Sequence, residues 1–215
     1  NTNMKKTIIK SITALFITSV ALVSCSKDET VPTITLKGDA IQVVLLNATA
    51  TDPGVTANDD NDGDVTANVT SDYATVVNNK VAADYKVTYK VSDKAGNAAT
   101  ATRTVRVKID ASSVAAAYNV SESCTISGPG TYSSTIAQGT SATQITIGNF
   151  GNYGVNVTAN ISGDNGLTLT VPSVTIQGAT FTGNGTIQND GKKITISYTG
   201  TDSTDTENCT MTLTR

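Results

Sequence analysis

The densest set of hard oxygen ligands in the chain is Asp59-Asp60-Asn61-Asp62-Gly63-Asp64. Carboxylates at alternate positions around a glycine suit Ca²⁺, which takes six to eight oxygens. Asp60, Asp62 and Asp64 are the candidate ligands, with Asp93 and Asn97 brought up from a later turn. A helix-flanked calcium loop is excluded, because Val69 stands where its closing Glu belongs and no helix pattern flanks it. The competing reading is turn chemistry, in which Asp side chains cap their own backbone. A second candidate is Gly148-Asn149-Phe150-Gly151-Asn152-Tyr153-Gly154, where Phe150 and Tyr153 sit among amides and glycines. Such a segment could stack on a sugar, or the rings could fill a core. Paired carboxylates could support glycoside hydrolysis. The second half of the chain offers only Glu122, Asp164, Asp190, Asp202, Asp205 and Glu207, mostly in turn contexts. The chain has no His and no Trp, so the commonest general base and metal ligand is missing. We expect no catalysis and no obligatory cofactor, with Ca²⁺ the one candidate ion.

Met4 opens a segment with Lys5, Lys6 and Lys10, followed by an apolar run from Ile12 to Val23 and then Ser24-Cys25. A positive start, a short apolar stretch and a small residue before the cut describe a secretory leader. The run is short of the roughly 20 residues a spanning helix needs. Leu22-Val23-Ser24-Cys25 resembles the lipobox of bacterial lipoproteins, which implies cleavage before Cys25 and anchoring in outer-membrane lipid through its acylated thiol. Lys27-Asp28-Glu29 resembles the surface-export signal of Bacteroidota lipoproteins, which implies display on the cell exterior. The three leader lysines are part of 15 basic residues; the other 12 face 18 acidic ones, leaving about −6. That balance excludes a nucleic-acid partner. Cys124 and Cys209 remain as a pair, and in an oxidising compartment a disulfide is the default.

Stepping along the chain, period-two alternation dominates. Tyr85, Val87, Tyr89 and Val91 alternate with polar residues, as do Val105, Val107 and Ile109. Strict alternation means one buried and one wet face. Asp52-Pro53-Gly54-Val55-Thr56-Ala57, Asp62-Gly63-Asp64-Val65-Thr66, Asp84 to Tyr89, Val91 to Asn97 and Arg103-Thr104-Val105 resemble, in order and spacing, the bacterial Ig-like domain first described in a pesticidal crystal toxin. The resemblance implies a seven-stranded sandwich used as a spacer or accessory module. Asp84 stands where that family usually has Gly.

Asp110-Ala111-Ser112-Ser113 reads as a short polar linker. Beyond it, Thr143–Ile147, Val155–Ala159, Leu167–Val171, Val174–Ile176 and Ile194–Tyr198 alternate. Gly128-Pro129-Gly130, Gly163 to Gly166, Asn184-Gly185 and Asn189 to Gly191 read as the turns between them. Asn149-Phe150-Gly151 and Gly183 to Tyr198 resemble the C-terminal domain of small Bacteroidota lipoproteins, a resemblance that implies no function. The expected class is all-β: an Ig-like β-sandwich followed by a second antiparallel β-barrel or sandwich domain. The expected division is 1–24 leader, 25–32 lipidated tether, 33–110 Ig-like domain and 111–215 C-terminal domain. Asp202-Ser203-Thr204 resembles an O-glycan acceptor motif of secreted Bacteroidota proteins, with Ser203 the acceptor. The functional expectation is a non-catalytic surface lipoprotein that binds polysaccharide, the sandwich acting as spacer. The alternative is a structural or adhesive protein that binds other surface proteins.

Overall fold

The computed structural model describes residues 27–215, so the leader and Cys25 lie outside the described residues. Seven strands form two sheets. One holds β1 (Thr33–Leu36), β3 (Val55–Asp59) and β4 (Gly63–Asp64) in the order β1-β3-β4. The other holds β2 (Ile41–Leu45), β5 (Thr70–Ser71), β6 (Asp84–Ser92) and β7 (Ala98–Lys108) in the order β2-β7-β6-β5. A single turn of helix, α1 (Tyr73–Val76), joins β5 to β6. The first strands belong to different sheets because Gly38, at φ 75°, breaks the extended chain between them. β2 then runs parallel to β7, with Leu45 opposite Lys108.

Alternation explains the sandwich core. Val87, Tyr89 and Val91 of β6 and Arg103, Val105 and Val107 of β7 all point inward and are buried. Arg103 is the exception in kind: parity forces its guanidinium inside, where it donates to the carbonyls of Lys37 at 2.5 Å and Gly54 at 3.3 Å. Tyr89, equally buried, donates to Asp52 at 2.6 Å.

The C-terminal domain is a closed antiparallel barrel. Its strands are β8 (Ala116–Cys124), β9 (Gly128–Gln138), β10 (Gln144–Phe150), β11 (Val155–Ser162), β12 (Thr168–Ile176), β13 (Ala179–Ile187), β14 (Lys193–Thr201) and β15 (Thr206–Thr214). Each pairs with the next in sequence, and β15 closes on β8. Cys209 lies opposite Cys124 on this seam, and the two form a disulfide. The interior is filled by Val120, Ile145, Ile147, Val157, Leu169, Ile196, Met211 and Leu213, all buried. Outward positions are polar: Asn156, Thr158 and Asn160 on β11 are exposed. This is the reverse of a lipid-facing barrel, whose outer face is apolar. An eight-stranded barrel has room for a packed core, and here side chains fill it.

Two turn assignments and one strand break differ from the sequence reading. Gly128-Pro129-Gly130 opens β9, and the turn is Thr125-Ile126-Ser127. Asn184-Gly185 lies within β13, while the real turn is Gln177-Gly178, both at positive φ. Gly183 and Gly185 are needed inside β13 because β14 passes too close for a side chain: a Cβ at either would sit 2.5 Å from the Ser197 or Thr195 carbonyl oxygen. Val171 and Val174 belong to one strand with a register shift around Pro172, which has no N–H for the ladder.

The polar linker is corrected too. Asp110 caps a helical turn, α2 (Ala111–Val114), accepting Ser113 N–H at 2.9 Å while the Ser113 hydroxyl faces back to the Asp110 backbone. Ala111 and Val114 are fully buried against barrel residues. One apolar cluster runs from Leu46, Ala82, Val107 and Ile109 of the sandwich into the barrel. Backbone bonds cross the junction: Ala82 N–H to the Asn189 carbonyl at 2.7 Å, and Ile109 N–H to the Asn165 carbonyl at 2.9 Å. Asn165 also donates to Asp84 at 3.0 Å, and Arg106 bridges Asp84 at 2.8 Å and Asp164 at 3.1 Å. Those bonds, Arg106 above all, hold the Asp84 carboxyl at about 2. The two domains therefore share a packed, hydrogen-bonded joint.

Gly166 sits at φ 71° with its α-carbon against the Ile109 carbonyl, so a methyl there would collide with that oxygen. Gly166→Ala should cost about 1–3 kcal/mol from strain and overpacking. It should also make the 109–115 segment more susceptible to limited proteolysis than in the parent chain.

Candidate functional site

Up-and-down topology sorts the barrel loops to two ends. One end, with the turns at 139–143, 163–167 and 188–192, meets the sandwich. The other carries 125–127, 151–154, 177–178 and 202–205. A cavity of about 200 Å³ opens at this free end. It draws on all four distal hairpins, through Ile126, Ser127, Tyr153, Phe181, Asp202 and Glu207 among others.

Tyr153 is the central side chain, and it is 48% exposed. Its hydroxyl donates to Glu207 Oε1 at 2.8 Å. Glu207 Oε2 accepts from the Ser127 hydroxyl at 3.0 Å and the Ser127 N–H at 3.2 Å. One side of the Tyr153 ring rests near Gly151, at φ 60°, where any Cβ would strike the ring at 2.7 Å. Phe181 supports it with ring centroids 5.5 Å apart. The ring is thus held from within and presented outward. Ile126, 61% exposed, adds an apolar edge beside it.

Beneath lies an aromatic layer. Phe150 packs on Tyr198 at 4.7 Å and edge-on to Phe181 at 5.7 Å. Phe150 is fully buried and offers no face to a ligand, which corrects its assignment as a sugar contact. The register shift between Ile147 and Phe150 is the cause: it turns Phe150 inward. Of the two expected contacts, only Tyr153 is at the surface. Below Phe150 sits Glu122, buried, accepting the Tyr198 hydroxyl at 2.7 Å. The buried Tyr132 hydroxyl lies near the same carboxyl but makes no well-angled hydrogen bond among the described residues.

The carboxyls at this end are shifted in opposite directions. Burial pushes Glu122 up, helped by the nearby Glu207 charge and resisted by the Tyr198 hydrogen bond and the nearby Tyr132 hydroxyl. For Glu207 burial acts in the same direction, but the bonds from Tyr153 and Ser127 outweigh it and hold the group below its ordinary range. Asp202 is held down by the N–H groups of Asp205 and Thr204 and by the Thr204 hydroxyl. Burial, with the Glu207 carboxylate, pushes Tyr153 up to about 12, so it remains a donor. The rim thus carries ionised acceptors and one exposed ring. The carboxyl with a raised pKa, Glu122, is buried.

Asp60, Asp62, Asp64 and Asp93 do not come together as a set. Asp60 is exposed; Asp62 binds Lys94, accepting its N–H at 2.7 Å and its ammonium at 3.0 Å; Asp64 caps Thr66 N–H at 2.9 Å. The residue facing Asp93 is Asp59, because β3 alternation turns Val55, Ala57 and Asp59 inward. Lys27 and Glu29 are exposed and Asp28 is half-buried. Ser203 lies exposed at the tip of the 202–205 turn. No helix among the described residues is long and apolar enough to cross a membrane.

Residues 34–107, within the stretch expected to be Ig-like, match the family described as bacterial surface protein, Ig-like domain. No curated protein matches the chain. Among solved structures it is similar to a lipoprotein of Bacteroides thetaiotaomicron, at 18% identity and TM-score 0.36, over 86% of this chain and all of that one. It is similar as well to a redesigned β-barrel, at 18% identity and TM-score 0.33, over 49% of this chain and 93% of that one. A third is a carbohydrate-binding module structure from Clostridium perfringens, in complex with GlcNAc, at 18% identity and TM-score 0.30, over 85% of this chain and 44% of that one.

Two expectations follow. Phe150→Ala should destabilise the protein by about 3–5 kcal/mol in urea unfolding, the cost of a large buried aromatic. Tyr153→Ala should cost far less. Glu122 is protonated more readily folded than unfolded, so its contribution to stability declines as pH rises from about 4.5 through the folded value. Glu122→Gln should remove that decline, and its urea midpoint should gain on the parent steadily above pH 4.5.

Proposed function

We propose that this chain is a lipid-anchored protein of the bacterial outer membrane, facing the cell exterior, that binds glycans at the distal mouth of its barrel. The observation that carries the reading is the exposed Tyr153 ring, braced by Gly151 and Phe181 and flanked by ionised Glu207 and Asp202. Sugars present apolar C–H faces for a ring and hydroxyls for fixed acceptors, and this mouth offers both. Glu122, the carboxyl at this end with a raised pKa, is buried, which favours binding over hydrolysis. The leader, Cys25 and Lys27-Asp28-Glu29 support anchoring and outward display. The matched family, described as that of a bacterial surface protein, agrees with that placement. The sandwich is the spacer: the nine residues of β6 alone span about 30 Å. Ser203, exposed at the rim, is the proposed O-glycan acceptor.

A second reading rests on a different face. Ile41, Val43 and Leu45 are 49%, 59% and 41% exposed along the edge strand β2. Such a stripe fits an adhesive protein with protein partners.

Screening the chain from Ser26 onward against a polysaccharide panel separates the two. The glycan reading expects reproducible binding that falls at least about tenfold in Tyr153→Ala, a loss of about 1.4 kcal/mol. Binding should survive Val43→Ser. Binding to no glycan would overturn it and favour the β2 stripe.

A further inference from the structure

The pole of the sandwich farthest from the barrel brings together three carboxylates from distant parts of the chain. Asp28 comes from the N-terminal segment, Asp59 from the end of β3 and Asp93 from the β6–β7 turn. One oxygen from each lies within 4.8 Å of the others. Asp59 is 2% exposed and Asp93 8% exposed.

Their hydrogen bonds orient them without neutralising them. Asp59 Oδ1 accepts the N–H groups of Asn61 at 3.0 Å and Asp62 at 2.9 Å. Its other oxygen, Oδ2, is buried and has no partner among the described residues. Asp93 accepts from Asn97 at both oxygens, each at 2.7 Å. Asp28 Oδ1 accepts the Thr30 N–H at 3.0 Å and its hydroxyl at 2.5 Å. The Asn97 amide reaches across to the Asp28 backbone carbonyl at 3.2 Å. The adjacent cation, Lys94, is turned outward to Asp62 and is 83% exposed.

A buried carboxylate oxygen without a partner is costly, and two more like charges beside it add to the cost. A hard divalent cation removes both penalties. Ca²⁺ binds oxygen at about 2.3–2.6 Å, so two ligands of one ion stand at most about 5 Å apart. The 4.8 Å grouping meets that limit. The donor set is all oxygen, which disfavours zinc and copper. Mg²⁺ demands a tighter octahedron than three carboxylates from separate segments readily form.

We propose that Asp28, Asp59 and Asp93 form a Ca²⁺ site that fastens the N-terminal tether to the sandwich. The ion links a residue three positions after Cys25 to the folded core, so it fixes the direction in which the domain leaves its tether. The site is distinct from the Asp60, Asp62 and Asp64 run.

Isothermal titration of the intact protein with CaCl₂, then MgCl₂, tests this. One Ca²⁺ per chain is expected, with Kd on the order of 0.1–1 mM, as in extracellular calcium modules, and weaker Mg²⁺ binding. Asp28→Asn, outside the core, and Asp59→Asn should each weaken Ca²⁺ at least about tenfold. Asp60→Asn and Asp64→Asn should leave it unchanged. Ca²⁺ should also slow proteolysis within residues 26–32 of the parent but not of Asp28→Asn. Absence of binding up to about 10 mM Ca²⁺, ten times the weak end of that range, would overturn the site. So would Ca²⁺ binding that survives both Asp28→Asn and Asp59→Asn.

Discussion

Pairing of β15 with β8 is the interaction on which the rest of the molecule depends. Until these strands meet, the eight-stranded meander is an open sheet with two bare edges and an apolar face. Their meeting closes the core, completes both ends of the barrel and brings the 125–127 turn beside Glu207. The Cys124–Cys209 disulfide lies on this seam and closes a loop between residues 85 apart in sequence. A bridge over so long a loop typically stabilises by about 2–4 kcal/mol, mainly by restricting the unfolded chain. Covalent reinforcement falls where the pairing is most non-local.

The two barrel ends differ in their surroundings because β8 begins and β15 ends at the one that meets the sandwich. The proximal end is covered by Leu46, Ile109, Ala111 and Val114, so its loops serve packing. Among the described residues the distal end has no such cover, and its loops are free to vary in sequence without loss of the joint. An ordered aromatic layer of Phe150, Phe181 and Tyr198 seals the core there. That seal separates the exposed polar groups of the rim from the buried core.

Much of the fold was legible in sequence because alternation is a local signal. β6, β7, β11 and β14 were visible in the spacing of Val, Tyr and Ile, and the Cys124–Cys209 pair followed from a count. Asp59 and Arg103 could also have been read: each continues an inward parity set by Val55 and Ala57, or by Val105 and Val107. Phe150 could not. Strict alternation from Ile145 and Ile147 would turn it outward, and a register shift that leaves no mark in composition reverses it. Asn184-Gly185 misled for a related reason. Its glycine answers the close approach of β14, not a turn, and that approach is a property of the closed barrel. The meeting of Asp28 with Asp59 and Asp93 needed three segments placed in space, so no spacing rule could announce it.

An even number of meandering strands has a geometric consequence. The barrel begins at Ala116 and its last strand ends at Thr214, at the same end. Arg215 is folded back there, its guanidinium donating to the Ser113 carbonyl at 2.8 Å and lying over Tyr118. Whatever polypeptide followed Arg215, natural or appended, would emerge at the waist of the molecule between its two domains. The far tip would remain clear of chain ends. An added strand would reverse that arrangement and thread the continuation through the mouth.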